Sequence, residues 1–167
     1  MIERIKNCRV CDEVIEPFMT FGKMPIANGF LLQEQINEEY FFELAPAFCD
    51  KCFSLQIVEQ PEPSMMFHDE YAFFSRQSKF MQAHFKEYAK WVESNYLSSK
   101  DDFVVEIGSN DGIMLENFKN MGLKHLGVDP SSNVVEVARS HGVNSVVSFF
   151  GLESAKDIVR EYGHAKA

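Results

Sequence analysis

The sequence predicts an α/β chain in three parts. These are a small cysteine-rich N-terminal domain (residues 1–65), a bridging segment with one long helix (66–100), and three buried strands alternating with helices (101–167). Three observations predict it. Four cysteines fall in two C-x-x-C pairs, all in the first third of the chain. Residues 78–96 carry apolar side chains at helical spacing. The short apolar runs Phe103–Ile107, Leu126–Asp129 and Val146–Phe149 each give way to a helical pattern, the alternation that builds a parallel sheet.

Composition bounds the function. With 46% hydrophobic and 13% aromatic residues, 167 residues suffice for one large core or two small ones. The formal charge is −9, and the 16 Lys and Arg form no basic run, which argues against a nucleic-acid partner. No stretch is long and apolar enough to span a membrane. The start Met1-Ile2-Glu3-Arg4 is too charged for a secretion signal, so the expected compartment is the cytoplasm.

The cysteines come first. Cys8-Arg9-Val10-Cys11 and Cys49-Asp50-Lys51-Cys52 suit tetrahedral zinc, because each short loop aims two thiolates and donates amides to the sulfurs. The 37 residues between the pairs exceed the usual zinc-ribbon spacing. Disulfides do not suit a cytosolic chain, and neither pair has a thioredoxin-like context. Four protein ligands leave no open position, so the metal is structural, and a unit of about 65 residues often needs one. Between the knuckles, Met24–Asn28 reads as a loop, and Phe41–Leu44 and Leu55–Val58 read as strands. Glu59-Gln60-Pro61-Glu62-Pro63 marks a boundary.

In the bridge, Ser75 and Ser78 are both candidate N-caps. Met81, Phe85, Tyr88 and Val92 recur at i, i+4, i+7 and i+11, and Trp91 widens the buried stripe of the expected helix.

The run Phe103–Ile107 reads as a strand buried on both faces, followed by a glycine-bearing turn and a helix over Ile113–Met121. Strand, glycine turn and helix present backbone amides to a ligand. Asp129, 21 residues beyond Gly108, ends the next strand at the distance where an acid can hydrogen-bond a ribose diol. The two features together point to a nucleoside cofactor. The bland alternative is a βαβ turn whose glycines only ease packing. Asn110 stands where a dinucleotide fingerprint wants its middle glycine. Further on, Val134, Val137 and Ala138 define a helix closed by Gly142. Val146–Phe149 is the third strand, and Ala155, Ile158, Val159 and Tyr162 define a last helix closed by Gly163.

The pattern Glu106-x-Gly108-x-x-x-Gly112 resembles motif I of the class I S-adenosylmethionine-dependent methyltransferases, whose cofactor has a carboxylate for the helix N-terminus and an ammonium for an acid. The motifs run in one order: Cys8-x-x-Cys11, Pro25-Ile26-Ala27-Asn28, Cys49-x-x-Cys52, Tyr71-x-Phe73-x-Ser75-x-x-Ser78, then Glu106 to Gly112. Over essentially the whole chain this order resembles the sugar C-methyltransferases with an N-terminal zinc-binding domain. Phe53 departs from it, standing where many members have glycine after the fourth cysteine.

The resemblance implies a Rossmann-like class I methyltransferase domain with seven strands ordered 3-2-1-4-5-7-6. This chain supplies the first half, three parallel strands, and so reads as the N-terminal portion of a longer enzyme, truncated and inactive alone. Its first strand would present a bare apolar edge, open to pairing with another copy. By the same resemblance Glu106, Gly108, Ser109, Asn110, Asp111 and Gly112 hold the methionine portion of the cofactor. Asp129 takes the ribose hydroxyls, and Pro130 and Ser131 lie beside the adenosine. Tyr71 is either an aromatic over the active site, the one catalytic candidate, or an interface aromatic; a shifted alignment puts Phe73 there, without a hydroxyl. The implied reaction removes a proton next to the ketone of a nucleotide-linked sugar and methylates that carbon. The expected base is a His, Glu or Tyr after the fourth strand; His84 and His125 lie nearest the motifs and neither is assigned. The rival readings are a methyltransferase acting on an oxygen, a nitrogen or another small metabolite, and a non-catalytic zinc-stabilised binding module.

Overall fold

The computed structural model describes residues 4–27 and 29–167. Met1, Ile2 and Glu3 lie outside the described residues, as does Asn28 of the Pro25–Asn28 stretch. The chain divides into two compact units, Met1–Met66 and Phe67–Ala167.

The first unit is built from two antiparallel strand pairs: β1 (Lys23–Pro25) with β2 (Phe41–Glu43), and β3 (Pro46–Phe48) with β4 (Leu55–Ile57). The sequence reading made Met24 and Pro25 part of a loop. They are strand instead, because Phe41–Glu43 needs a hydrogen-bonding partner and Met24 lies opposite Phe42. β3 escaped the reading altogether, since it opens on a proline; Pro46 stands at the first residue of the strand, where a missing N–H is tolerated. The buried core is small: Ile15, Ala45, Ala47 and Val58, with the thiols of Cys8 and Cys49 among them. The short helix α1 (Pro63–Met66) ends the unit.

In the second unit, a single 3-10 turn at Ser75–Gln77 leads into α2 (Lys79–Tyr96). Of the two candidate caps it is Ser78 whose Oγ accepts the Met81 amide, at 3.3 Å. The inward stripe of α2 differs from the expected one. Met81, Phe85, Ala89 and Val92 face the core, while Tyr88 and Trp91 are 44% and 49% exposed. The spacing 81–85–89–92 keeps one face, and Tyr88 and Trp91 each precede one of its residues, so the helix turns both out. There Trp91 stacks on Tyr88, with ring centroids 5.7 Å apart.

Then follow β5 (Phe103–Ile107), α3 (Leu115–Asn120), β6 (Lys124–Asp129), α4 (Ser132–Ser140), β7 (Ser145–Val147) and α5 (Leu152–Tyr162). The three strands form one parallel sheet in the order β5-β6-β7. Its side chains alternate between two cores. Val104 joins Ala89, Val92, Leu115, Phe118 and Ala138 on one face, while Phe103, Leu126 and Val128 pack with Ile158 of α5 on the other. β7 ends at Val147, two residues before the expected Phe149, which is exposed. α3 begins only at Leu115, because the glycine turn occupies the residues before it.

The outer edge of β5, expected bare, is partly covered. Odd-numbered residues of β5 point their backbone groups away from β6. The Lys166 amide donates to Phe103 O at 2.7 Å and Ala167 O accepts from the Val105 amide at 3.0 Å. The chain's own backbone thereby meets two demands of that edge, while Ile107 stays 59% exposed. Among the described residues no helix is long and apolar enough to cross a membrane.

Candidate functional site

Two loops of one design hold the four cysteines of the first unit. In the first, the Cys8 amide donates to Glu13 O and the Asp12 amide to Cys8 O; in the second, the Cys49 amide donates to Ser54 O and the Phe53 amide to Cys49 O. Each loop turns on the residue after its second cysteine. Asp12 has φ 60° and Phe53 φ 61°, the left-handed region that favours glycine. The departure at Phe53 therefore sits where a glycine would be relaxed, yet the loop closes with all its hydrogen bonds. The ring of Phe53 remains 74% exposed, 6.2 Å from that of Phe48.

The two loops bring Cys8, Cys11, Cys49 and Cys52 together, with all four Sγ atoms within 4.8 Å of one another and none in a disulfide. Cys8 Sγ lies 3.5 Å from Cys52 Sγ, and Cys11 Sγ 3.5 Å from Cys49 Sγ. Tetrahedral zinc with bonds of about 2.3 Å separates its sulfurs by about 3.8 Å, so the cluster fits that ion. Electrostatics agrees. Burial opposes ionisation of Cys8, but the Val10 and Cys11 amides and the Gln56 side chain outweigh it and bring the thiol down to about 6. At Cys52 the Ser54 amide favours the thiolate, but burial and the three neighbouring sulfurs push the thiol up to about 12. Four sulfurs this close ionise together only around a cation. Gln56, whose Nε2 donates to Cys8 Sγ at 3.1 Å, was not singled out in the sequence. Its place on β4, directly after the second knuckle, was the available signal.

In the second unit the glycine turn follows β5. Gly108 (φ 71°) and Gly112 (φ 73°) take left-handed conformations, and so does Asn110, at φ 49°. Gly112 also packs closely: a Cβ there would lie 3.0 Å from that of Ala138. Asp129 ties the turn to the end of β6. Its Oδ2 accepts the Asn110 amide and its Oδ1 the Ser131 amide, both at 2.9 Å. Ser109, Asp111 and Ser131 are buried, and Ser109 Oγ, Ser131 Oγ, Asp111 Oδ1 and Glu106 Oε2 have no hydrogen-bond partner among the described residues. Burial first, then the negative charges of Asp111 and Asp129, push the Glu106 carboxyl up to about 8. Pro130 lies half-buried beside them.

The segment that leads into α2 is fastened to the glycine turn and to the start of α4. Asn110 Oδ1 accepts the Ser75 amide and Asn110 Nδ2 donates to Phe73 O, each at 3.0 Å. Asp111 Oδ2 accepts the Arg76 amide at 2.8 Å. Asn133 Nδ2 donates to Tyr71 O at 2.8 Å, which places the Tyr71 backbone beside the first turn of α4; the Tyr71 ring lies 5.7 Å from that of Phe67. Arg76 and Asn133 were missed in the sequence. The clue for Arg76 is that it is the single cation in the Tyr71–Ser78 stretch. His84 is exposed on α2. His125 is buried with both ring nitrogens engaged, Nε2 accepting the Asn144 amide and Nδ1 facing Leu123 O.

A four-thiol cluster on paired knuckles, followed by a parallel sheet with a glycine turn, defines a metal-binding unit joined to an α/β unit. Residues 8–67 match the family model described as "Putative zinc binding domain", and with the cluster this supports zinc as the metal of the first unit. Over 169 aligned residues, 99% of this chain, the sequence is 28% identical to the C-methyltransferase NovU of Streptomyces niveus. The chain is thus related along its whole length to a C-methyltransferase and spans 40% of that protein's length.

Proposed function

We propose that this chain is the zinc-binding and cofactor-facing part of an S-adenosylmethionine-dependent C-methyltransferase whose acceptor is a nucleotide-linked ketosugar. The observation that carries the reading is the pair of buried carboxylate oxygens without partners, Glu106 Oε2 and Asp111 Oδ1, at the glycine turn. Buried carboxylates left unpaired are costly, and a cationic ligand satisfies them. S-adenosylmethionine carries an ammonium and a sulfonium, and when bound it supplies an electrophilic methyl group.

In this reading Glu106 and the turn Gly108–Gly112, with Ser109, Asn110 and Asp111, take the methionine end. Asp129 keeps a lone pair on each oxygen beyond those facing Asn110 and Ser131, and these receive the ribose hydroxyls. Pro130 and Ser131 border the adenosine, and Tyr71 flanks the acceptor. C-methylation needs a carbon that loses a proton readily, which suits a carbon next to a ketone. His125 has no free ring nitrogen and His84 is on an exposed face, so neither is assigned as the base. Zinc has four thiolate ligands and no open position, so it holds the first unit together and takes no part in transfer. The name of the relative supports carbon as the acceptor, and the order of motifs supports the sugar.

The test is calorimetric titration of the chain with S-adenosylmethionine. It is paired with incubation of methyl-labelled cofactor, nucleotide-linked ketosugars and small hydroxyl or amine acceptors with the enzyme of which this chain is proposed to be a part. Binding, with label fixed on a sugar carbon, supports the reading. No binding at millimolar cofactor overturns the cofactor site, and label on oxygen or nitrogen overturns the acceptor.

A further inference from the structure

We infer that Arg76 is a positioning residue that locks the glycine turn, and with it the Glu106–Asp111 carboxyl pair, in the arrangement that meets the cationic end of the ligand. The ligand part rests on the cofactor reading above; the lock itself rests on contacts.

Arg76 holds the turn at two points and the helix that follows it at a third. Its amide donates to Asp111 Oδ2 at 2.8 Å, Nη2 donates to Asp111 O at 3.0 Å, and Nη1 pairs with a carboxylate oxygen of Glu116. Asp111 lies in the turn and Glu116 in the first turn of α3, so one guanidinium spans the turn and the helix behind it. The pair is partly buried, with side chains 21% and 30% exposed, where such contacts count for more than at an open surface.

The turn needs such a fastening. Asn110 holds a left-handed conformation that an L residue adopts at some cost. Both ends of its side chain are spent on the backbone of Phe73 and Ser75, the residues that lead into Arg76. Asn110 and Arg76 thus close one latch from opposite sides. With Asp111 Oδ2 held by the latch, Oδ1 stays unpartnered and close enough to Glu106 for its charge to be felt there. Two carboxyls in that relation repel, and an unfastened turn would let them separate.

The experiment compares Arg76→Met, Arg76→Lys and Glu116→Gln with the wild-type chain, without ligand, by amide hydrogen exchange at Asn110 and Gly112. The Gly127 amide, bonded to Asn144 O within the sheet, serves as the internal control. Loss of charge-assisted bonds should speed exchange in the turn roughly ten- to hundredfold in Arg76→Met and less in the other two, with Gly127 unchanged. Affinity for S-adenosylmethionine should fall by a similar factor in Arg76→Met. Affinity for 5′-methylthioadenosine, which lacks the amino-acid end, should hold. Unchanged exchange in the turn of a folded Arg76→Met chain overturns the lock. Equal weakening of both ligands overturns its selective link to the cationic end. If the wild type binds neither compound the cofactor reading fails, and the exchange rates alone judge Arg76.

Discussion

Asp129 Oδ2 accepts the Asn110 amide at 2.9 Å, so the acid that ends the second strand of the sheet holds the turn that ends the first. The other oxygen holds the Ser131 amide at the start of α4. One buried carboxylate therefore spans the two loops from which the site is built, before any ligand hydroxyl is considered.

Asp129→Ala should consequently do more than weaken a ribose contact. Two backbone donors lose a charged acceptor in a buried place, which costs at least about 1.5–3 kcal/mol of stability in the second unit. Denaturant unfolding checks this. Affinity for S-adenosylmethionine should fall at least roughly ten- to hundredfold, read by calorimetry. Full stability in the Ala variant would show that the two amides find other acceptors.

Glu106 makes stability depend on pH. Its carboxyl titrates at about 8 in the folded chain against an ordinary 4.5. Between those values the folded state holds a proton that the unfolded chain has released, so this contribution to stability is full below the lower value. It declines as pH rises through the window and is lost above the upper one. Glu106→Gln should flatten that slope and be more stable than wild type at alkaline pH. A cationic ligand favours the ionised acid, so affinity for S-adenosylmethionine should rise with pH toward the upper value in wild type and lose that dependence in Glu106→Gln. Parallel pH profiles for the two proteins would remove Glu106 from the ligand's surroundings.

Zinc should be present at one equivalent per chain in freshly reduced protein, by elemental analysis. Cys49→Ser removes a buried ligand that is also part of the small core around Ile15, Ala47 and Val58. It should release the metal and unfold the first unit, leaving the helical signal of α2–α5 largely intact. Retention of a full equivalent by the variant would mean that the four cysteines do not form one site.

Gly127 has no room for a side chain. A Cβ there would collide with Ser109 Oγ and lie 2.8 Å from Ser145 Oγ and 2.9 Å from Ser109 Cβ. Gly127→Ala should cost about 1–3 kcal/mol, as overpacking in a close-packed interior does. Gly127→Ala with Ser109→Gly should recover part of that loss in thermal unfolding, because the nearest atoms are gone. Additive losses in the double variant would place the strain elsewhere.

Much of the organisation was legible along the chain because it rests on local patterns. Paired C-x-x-C loops fold on themselves, a buried strand reads as an apolar run, and a glycine turn followed by an acid at the next strand end is a matter of spacing. Cys8, Cys11, Cys49 and Cys52, β5 with its turn, and β6 ending at Asp129 all belong to this group. Where local pattern was ambiguous the reading slipped. The inward face of α2 runs through Ala89 instead of Tyr88 and Trp91, since hydrophobicity alone does not separate an interior aromatic from one stacked on the surface.

The sequence by itself determined the two cysteine pairs, the alternation of strand and helix, and the acids and glycines of the turn, because each depends on residue type at short spacing. Only the tertiary structure decided how those parts are fastened. Arg76 reaches Asp111 and Glu116, Asn133 holds Tyr71, Gln56 steadies Cys8, and the Lys166–Ala167 backbone pairs along β5. These contacts join residues tens of positions apart. Each exists because a buried donor or acceptor must find a partner wherever the folded chain brings one within reach, and no spacing rule in the sequence encodes that meeting.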